Sequence, residues 1–189
     1  MTRSQTDELI RATAKRLFAK FGYEGVSMRI LAQQSGVGLS SIYHFFKDKD
    51  VLLKEIYQAT NARLGQDRKD LPPQPTASRM LAQLIEFQFE HTEDVVYVLK
   101  YYLHYRHDFA NLPTKTLPPK SALHIEEVID KGRQTGEFEV AASEVGAKAK
   151  VVAHTINGYL LEYYPDVPQN TERQAIVDDI VSFTMRGLK

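Results

Sequence analysis

Apolar residues recur at helical spacing along almost the whole chain, and this periodicity constrains the fold more strongly than any other feature. Near the start, apolar residues step by four and three along a helix that Gly22 ends, and they are Ile10, Ala14, Leu17, Phe18 and Phe21. No segment sustains the period-two alternation that is typical of a half-buried strand. The sequence therefore predicts an all-α protein.

The proline-rich stretch "LPPQP", residues 71–75, divides the chain. Asp48 can cap a helix over 49–70, and the prolines end that helix because proline cannot continue it. We expect a three-helix N-terminal domain at 1–50, the connecting helix at 49–70, and a helical domain at 71–189. In the second domain the pattern predicts helices over 76–91, 93–109, 117–134, 143–163 and 171–187.

Composition narrows the class of protein. With 189 residues and 43% hydrophobic content, the chain can bury a core. It has no apolar run of about 18 residues that could cross a membrane, and "MTRSQTDELIRATAKR" lacks the apolar core of a secretory signal. The absence of cysteine excludes disulfides, thiolate zinc sites and cysteine nucleophiles. We expect a cytoplasmic protein that does not engage a membrane.

Charge is unevenly distributed although the net charge is zero. Residues 1–54 hold nine Lys or Arg and five Asp or Glu, which leaves +4 there and −4 in the rest of the chain. A basic end suits a polyanionic partner, but most charged clusters are solvated surface. The charge by itself therefore decides little.

The stretch "SMRILAQQSGVGLSSIYHFF" predicts two short helices with a tight turn. Ser27 can cap the first helix, whose buried side is expected to include Ile30 and Leu31. Gly36 permits a sharp turn because glycine adopts positive φ readily. Ile42, in the second helix, is expected to pack its apolar side chain against the first helix. The spacing satisfies a helix-turn-helix, and it satisfies an ordinary helical hairpin equally well.

The second helix of this pair leaves an unusual set of side chains facing outward. In a helix-turn-helix that binds DNA, the second helix enters the major groove, and nearby hydroxyls, amides and cations hold phosphates. Such a role explains why these positions are polar or aromatic. The outward set is Leu39, Ser40, Ser41, Tyr43 and His44.

The segment from Val26 to Leu52, with "YHFFKDKDVLL" after "GVGLSSI", resembles the DNA-binding motif of the tetracycline-repressor (TetR) family of regulators. The motif resemblance extends over about Ser4 to Lys54. It implies a DNA-binding transcriptional regulator, a repressor, that binds a palindromic operator in double-stranded DNA as a homodimer. One position departs from the family pattern: Gly38 stands where the recognition helix commonly starts with serine.

The resemblance also implies roles for individual residues. Ser27 corresponds to a helix cap that contacts phosphate, and Arg29 can reach DNA from the same turn. Tyr43 and His44 correspond to contacts with the DNA backbone, and Phe46 to a structural position. The bases would meet the start of the second helix, and a lysine would hold a further phosphate. The full set of implied DNA contacts is Ser27, Arg29, Leu39, Ser40, Ser41, Tyr43, His44 and Lys49.

Apolar stripes on the last two expected helices are wider than one internal contact requires. The resemblance implies that these helices pair with their copies in a second subunit as a four-helix bundle. A purely internal core is the alternative. The expected interface residues are Val152, Ile156, Tyr159, Tyr163, Ile180 and Phe183.

Aromatic residues are concentrated between 87 and 109, where histidines accompany them. Aromatic residues at helical spacing usually belong to the hydrophobic core, but several of the residues in this region are tyrosines, whose hydroxyls need hydrogen-bond partners. The resemblance implies an effector site in this region, and its ligand is expected to be a small, largely apolar organic molecule whose binding releases DNA. The expected lining is Phe87, His91, Tyr101, Tyr102, Tyr105 and His154.

Motifs of the common enzyme classes are missing. There is no Glu-x-x-His pair, Walker loop or Gly-x-Ser-x-Gly elbow. His104 and His107 lie one turn apart but have no obvious third metal ligand. We expect neither catalysis, nor a metal, nor a cofactor. The alternative to a DNA-binding regulator is a ligand-sensing or adaptor protein whose helix-turn-helix binds another protein.

Overall fold

The computed structural model describes residues 2–109, 121–168 and 170–189, with the side chains of 107–109, 121 and 123 left out. The predicted helix start at 117–120 and the side chains of His107 and Phe109 lie outside the described residues. No strand occurs within these ranges, and the prediction of an all-α fold is confirmed. The helices are α1 (Arg3–Phe21), α2 (Met28–Ser35), α3 (Leu39–Phe45), α4 (Lys49–Lys69), α5 (Ala77–Glu90), α6 (Thr92–Phe109), α7 (Ser121–Gln134), α8 (Val145–Tyr163) and α9 (Asn170–Arg186).

The chain divides into two compact units. The first unit holds Met1–Gly65 and Glu93–Thr116, and the second holds Gln66–Thr92 and Leu117–Lys189. The division into domains at 1–50 and 71–189 that the sequence suggests stays a prediction. Within the described ranges, no helix combines the length and apolar character needed to cross a membrane.

The first unit is held together by polar contacts between residues that are distant in sequence. The Tyr97 hydroxyl donates to the Leu53 carbonyl oxygen at 2.6 Å. Asp94 is buried at the start of α6, where one carboxylate oxygen accepts from Lys15 Nζ at 2.6 Å and the other pairs with Arg63. Burial acts to raise the pKa of Asp94, but these two cations hold it below its usual value. Since the cations come from α1 and α4, Asp94 fixes both helices against α6.

In the second unit, α7 packs against α5 and α8, and α5 packs against α9. The start of α5 is capped from far along the chain, because the Glu137 carboxylate accepts hydrogen bonds from the amides of Ala77 and Ser78 at 2.7 and 2.9 Å. Gly132 is required near the end of α7, since a side chain there would overlap the Phe138 ring. The turn after α7 is therefore fixed by close packing.

Candidate nucleic-acid interface

α2 is oriented by its N-cap and by two buried side chains. The Ser27 hydroxyl oxygen accepts a hydrogen bond from the Ile30 amide at 3.1 Å, as expected of an N-cap. Met28 and Leu31, three residues apart, define the buried face. Ile30 was expected to be buried, but it is 39% exposed because it lies outside that face, so this expectation was wrong. Arg29 is also exposed.

The turn between α2 and α3 is short and internally bonded. Gly36 has φ 69° and ψ 9°, a left-handed conformation that glycine adopts without the penalty of a side chain. The Ser35 hydroxyl donates to the Leu31 carbonyl oxygen at 2.7 Å and accepts from the Val37 amide at 3.3 Å. These contacts fix the angle at which α3 leaves the turn.

α3 carries a polar surface over a closed core. Ile42 is completely buried and α3 packs against α2, so these helices form the predicted pair. Phe46 is buried at the helix end, which confirms its structural role. Tyr43 is 52% exposed. The other expected contacts on α3 are Ser40, Ser41 and His44, which are exposed, and Leu39, which is partly buried.

Lys49 begins α4 and is held in place by Tyr23, from the turn after α1. Its ammonium nitrogen lies 3.0 Å from the Tyr23 carbonyl oxygen and 3.5 Å from the centroid of the Tyr23 ring. An ammonium group has three donors, so one hydrogen bond to the protein leaves two for another acceptor. The Tyr23 contact therefore restrains the ammonium without using up its capacity to bind a phosphate.

Asp50 connects the start of α4 to α6 within the first unit. Its carboxylate accepts hydrogen bonds from the hydroxyls of Tyr23 and Tyr105 at 2.6 and 2.7 Å. The His104 ring stacks on Tyr23, with the centroids 3.9 Å apart. The bond from Tyr23 lowers the pKa of Asp50, and the same bond raises the pKa of Tyr23 to about 12. Three elements near Lys49 are thus joined by one carboxylate.

Arg3 is a candidate contact that the sequence analysis missed. Its guanidinium carbon lies 5.7 Å from the centroid of the Phe45 ring, which places a cation beside the end of α3. Arg3 is the first residue of α1, where a positive charge opposes the helix dipole. That unfavourable position is the signal in the sequence that could have drawn attention to it.

Residues 10–56 match the model of a protein family described as "Bacterial regulatory proteins, tetR family". The matched span begins within α1 and ends within α4, so it includes the whole helix-turn-helix and Lys49. This N-terminal region belongs to the tetR family. The resemblance that the motif suggested is thereby confirmed.

Curated relatives of this tetR-family region are also helix-turn-helix regulators. The chain is 32% identical over 89 residues to the uncharacterized HTH-type transcriptional regulator YhgD of Bacillus subtilis (strain 168), which covers 44% of the chain and 47% of YhgD. It is 35% identical over 52 residues to the HTH-type transcriptional repressor Rv1474c of Mycobacterium tuberculosis, covering 28% of each. The chain therefore matches less than half of the length of these relatives.

A solved structure matches this chain over nearly its full length. The transcriptional regulator FadR from Bacillus subtilis, in complex with stearoyl-CoA, superposes with a TM-score of 0.65 at 20% identity. The match covers 96% of this chain and 99% of FadR. At this identity the likeness shows the fold, which extends through the C-terminal helices.

The expected dimer residues differ in how much surface they leave free. Val152, Ile156 and Ile180 are buried by the second unit's own side chains, whereas Tyr163 is 46% and Phe183 59% exposed. Tyr159 is partly buried and stacks on Tyr163. Val151, which the sequence did not suggest as an interface residue, is 58% exposed. A groove of about 430 Å³ lies beside Val151 and Phe183.

The expected effector residues are divided between the units. Three belong to the first unit, where Tyr101 is buried between the rings of Tyr57 and Tyr105, with centroids 4.4 and 4.5 Å away. Tyr102 is partly buried. The Tyr105 hydroxyl is already engaged by Asp50. These tyrosines contribute to the packing of the first unit.

The other three expected effector residues belong to the second unit. Phe87 is buried with its centroid 4.3 Å from that of His91, which is partly buried. His154 is exposed, and its Nδ1 lies 2.6 Å from the Lys150 carbonyl oxygen on the same helix.

Two further polar residues of the second unit were not singled out from the sequence. The amide oxygens of Gln88 on α5 and Asn157 on α8 are buried, and no donor among the described residues reaches them. A buried acceptor without a donor costs about 1–3 kcal/mol. Periodicity gives no signal for such residues, because it reports which face is buried and not which atoms are paired. Elsewhere in the described ranges, no three His, Asp or Glu side chains form a group that could hold a metal.

Proposed function

We propose that the chain is a DNA-binding transcriptional repressor that acts as a homodimer on a palindromic operator and is released by a small, largely apolar organic effector. The observation that carries this proposal is α3, whose exposed side is polar over a buried core within a region of the tetR family. Repression is supported by the name of one curated relative. Such a regulator acts on double-stranded DNA in the cytoplasm.

The proposed DNA contacts divide into two kinds. Ser27, Arg29, Tyr43, His44 and Lys49 would hold phosphates and so set the position of the protein on the duplex. The exposed hydroxyls at the start of α3, together with the neighbouring leucine, would meet base edges in the major groove. Leu39, Ser40 and Ser41 form this base-reading group.

Dimerisation is proposed for the surface of α8 and α9. Large apolar side chains that are exposed to solvent mark surfaces that contact a partner. On α8 and α9 these side chains are Val151, Tyr163 and Phe183. A second copy of the chain would cover them. It would also bring the two copies of the reading head, which is α2 and α3 together with Lys49, to half-sites about 34–36 Å apart, or a multiple of that spacing.

Effector binding is proposed for the helical domain at 71–189. The observation that supports this is the pair of buried amide oxygens of Gln88 and Asn157, each of which a hydrogen-bond donor of a ligand would satisfy. The named ligand of FadR, stearoyl-CoA, has a long hydrocarbon chain, which supports an apolar body in the effector, whereas its coenzyme A part is polar and charged. α4 begins in the first unit and ends in the second, so a shift of this helix would transmit binding to the reading head.

The decisive experiment measures DNA affinity by fluorescence anisotropy, on a duplex found by genomic footprinting and on a random duplex, at several salt concentrations. Lys49→Ala should weaken binding to both duplexes and lower the salt slope by about one, because it removes one phosphate contact. Lys54→Ala removes an equal, exposed charge from the same helix and serves as the control. Ser40→Ala should instead alter the preference among duplexes.

Unchanged affinity and salt slope in Lys49→Ala would place the reading head elsewhere on the molecule. If the unmodified chain bound no duplex at all, the helix-turn-helix would have to serve a protein partner, as in an adaptor.

A further inference from the structure

A cleft in the second unit lies outside every site described above. It has a volume of about 340 Å³ and is formed by the end of α4, the proline-containing turn after it, α5 and α7. This volume is at the lower end of the ~300–1,000 Å³ that is typical of small-molecule sites. None of the six residues expected to line an effector pocket borders it.

Arg68 supplies the most unusual feature of this cleft. The side chain is partly buried, yet among the described residues its guanidinium makes neither a hydrogen bond nor an ion pair. Burial lowers the pKa of the Arg68 guanidinium, although the charge of Glu127 acts in the opposite direction. Arginine stays protonated in proteins, so burial does not neutralise it. A desolvated guanidinium that lacks an acceptor is best satisfied by an anion.

Glu127 is the carboxylate that could have served as this anion, but its position argues against that role. One of its oxygens lies 3.2 Å from His124 Nδ1, and its side chain is 73% exposed. It is therefore engaged with another residue and largely screened by water. Its charge still matters for selectivity, because it repels an incoming anion.

The charges around the cleft favour a singly charged ligand. Arg68 and Lys69 contribute two positive charges and Glu127 one negative charge, which leaves +1 from these three side chains. A monoanion would neutralise this charge. A phosphate dianion would exceed it and would be repelled more strongly by Glu127.

The walls of the cleft are apolar and fixed. Leu71, Pro72 and Val128 line it, and the prolines restrict the backbone of the turn. Gln83 Nε2 donates to the Pro72 carbonyl oxygen at 3.2 Å, which ties the turn to α5. A rigid apolar wall beside a guanidinium suits a ligand with a hydrocarbon body and one acidic end.

We infer that this cleft binds a small organic monocarboxylate, whose two oxygens accept hydrogen bonds from the Arg68 guanidinium while its apolar body packs against Leu71, Pro72 and Val128. The forked guanidinium matches the geometry of a carboxylate. The inference does not rest on the proposed DNA binding or dimerisation, since it involves neither DNA nor a second copy of the chain, and none of the residues named for the effector lines the cleft.

Isothermal titration calorimetry on the full chain without DNA tests the inference, with octanoate and phenylacetate as probes. Octanamide and phenylacetamide are their neutral counterparts, and inorganic phosphate tests for unspecific anion binding. Both carboxylates should bind, and each amide should bind at least tenfold more weakly, because an amide lacks the charge that the guanidinium attracts. Phosphate should also bind at least tenfold more weakly.

Substitution then locates the site. Arg68→Met should weaken carboxylate binding at least tenfold and should not lower the melting temperature, because no protein acceptor loses its partner. Arg79→Met removes an exposed guanidinium of α5 that does not border the cleft, and it should bind as the unmodified chain does. Arg68→Lys keeps the charge but loses the fork, so it should give intermediate affinity, and it replaces Arg68→Met if that variant fails to fold.

Several results would overturn the inference. They are the absence of carboxylate binding at millimolar concentration, amides or phosphate that bind as well as the carboxylates, and equal losses in the Arg68 and Arg79 variants.

Discussion

The exposed surface of α3 and the exposed surface of α8 and α9 are opposite in chemistry. On α3, Ser40, Ser41 and His44 face solvent over a completely buried Ile42. On α8 and α9, large apolar side chains face solvent instead, with Val151 and Phe183 each more than half exposed. Both surfaces belong to amphipathic helices, so helical periodicity alone does not distinguish them. The proposed function assigns the two surfaces different partners, a hydrated polyanion to α3 and an apolar protein surface to α8 and α9.

The two surfaces also differ in how they are supported. The reading head is supported by hydrogen bonds and ring contacts that Tyr23, Asp50 and Tyr105 make within the first unit. The α8–α9 surface covers Val152, Ile156 and Ile180, which pack within the second unit. Polar contacts fix direction as well as distance, whereas apolar contacts mainly exclude water. A surface that positions side chains against bases is better served by the first kind of support.

The largest effect is expected from emptying the core beneath the α3 surface. Ile42→Ala should lower the free energy of unfolding by about 2–4 kcal/mol, because it leaves a cavity where Ile42 is completely buried. Ile30→Ala removes the same atoms from an exposed position of α2 and should change the free energy of unfolding by less than about 1 kcal/mol. Urea denaturation measures both. Equal losses in the two variants would mean that α2 and α3 do not share the core described here.

A charge on the α8–α9 surface tests the other side of the comparison. Phe183→Glu should weaken self-association by about 2 kcal/mol or more, roughly thirtyfold, since an apolar contact is lost and a carboxylate is placed in the seam. Sedimentation at several dilutions measures this loss, and circular dichroism checks that the variant is folded. Ser182→Glu is the control, because it adds the same charge at the exposed residue just before Phe183.

Phe183 is a sharper probe than Ile156, which lies within the chain's own core. A charge at Ile156 would disturb folding as well as assembly. A folded Phe183→Glu dimer of unchanged affinity would move the interface away from α9.

The support of the reading head should depend on pH. Asp50→Asn should cost ~1 kcal/mol of stability, because Asp50 is solvent-exposed and its hydrogen bonds are weakened by water. The folded-state pKa of Asp50 is lowered, so its contribution is present above the unfolded pKa of about 3.9 and is lost as pH falls through the folded value. The pKa of Tyr23 is raised to about 12, so its contribution is lost as pH rises through that value.

The difference in melting temperature between the unmodified chain and Asp50→Asn should thus be constant from about pH 5 to 9 and shrink on either side. Tyr105→Phe removes one of the two hydrogen bonds to Asp50. It should lower the melting temperature by less than Asp50→Asn does, and this loss should shrink over the same acidic pH range. A difference that grows below pH 4 would contradict the lowered pKa of Asp50.

The smallest effect is expected at the start of α3. Gly38 has φ −57° and provides no side-chain cap, and a side chain there would meet only the Ser41 hydroxyl at 3.8 Å. Gly38→Ser should therefore stabilise the chain by a few tenths of a kcal/mol, because serine can accept a hydrogen bond from the helix amides. Differential scanning calorimetry resolves the shift. Gly38→Ala is the control without a hydroxyl, and a serine variant that melts no higher than the alanine variant would exclude capping.

Local features of the helices were predictable from the sequence. The pattern placed helices at 76–91 and 143–163, and the structure has α5 at Ala77–Glu90 and α8 at Val145–Tyr163. The cap of α4 was also foreseen, since an Asp48 carboxylate oxygen accepts from the Val51 amide at 2.8 Å. These features depend on hydrogen bonds and side chains within about four residues of one another, so a short stretch of sequence contains all the information that they need.

Which side of each helix is covered, and by what, was decided by contacts between distant residues. The family resemblance, together with the apolar stripe, favoured Ile156 for an interface, yet the folded chain buries Ile156 and leaves Val151 exposed. It grouped the tyrosines of α6 as a pocket, yet the Tyr105 hydroxyl binds a carboxylate 55 residues away in the chain. It gave no hint that Arg68 would border a cleft without a protein acceptor. An apolar stripe shows only that a helix face avoids water, and the pairing of polar atoms depends on three-dimensional positions that only the packed helices determine.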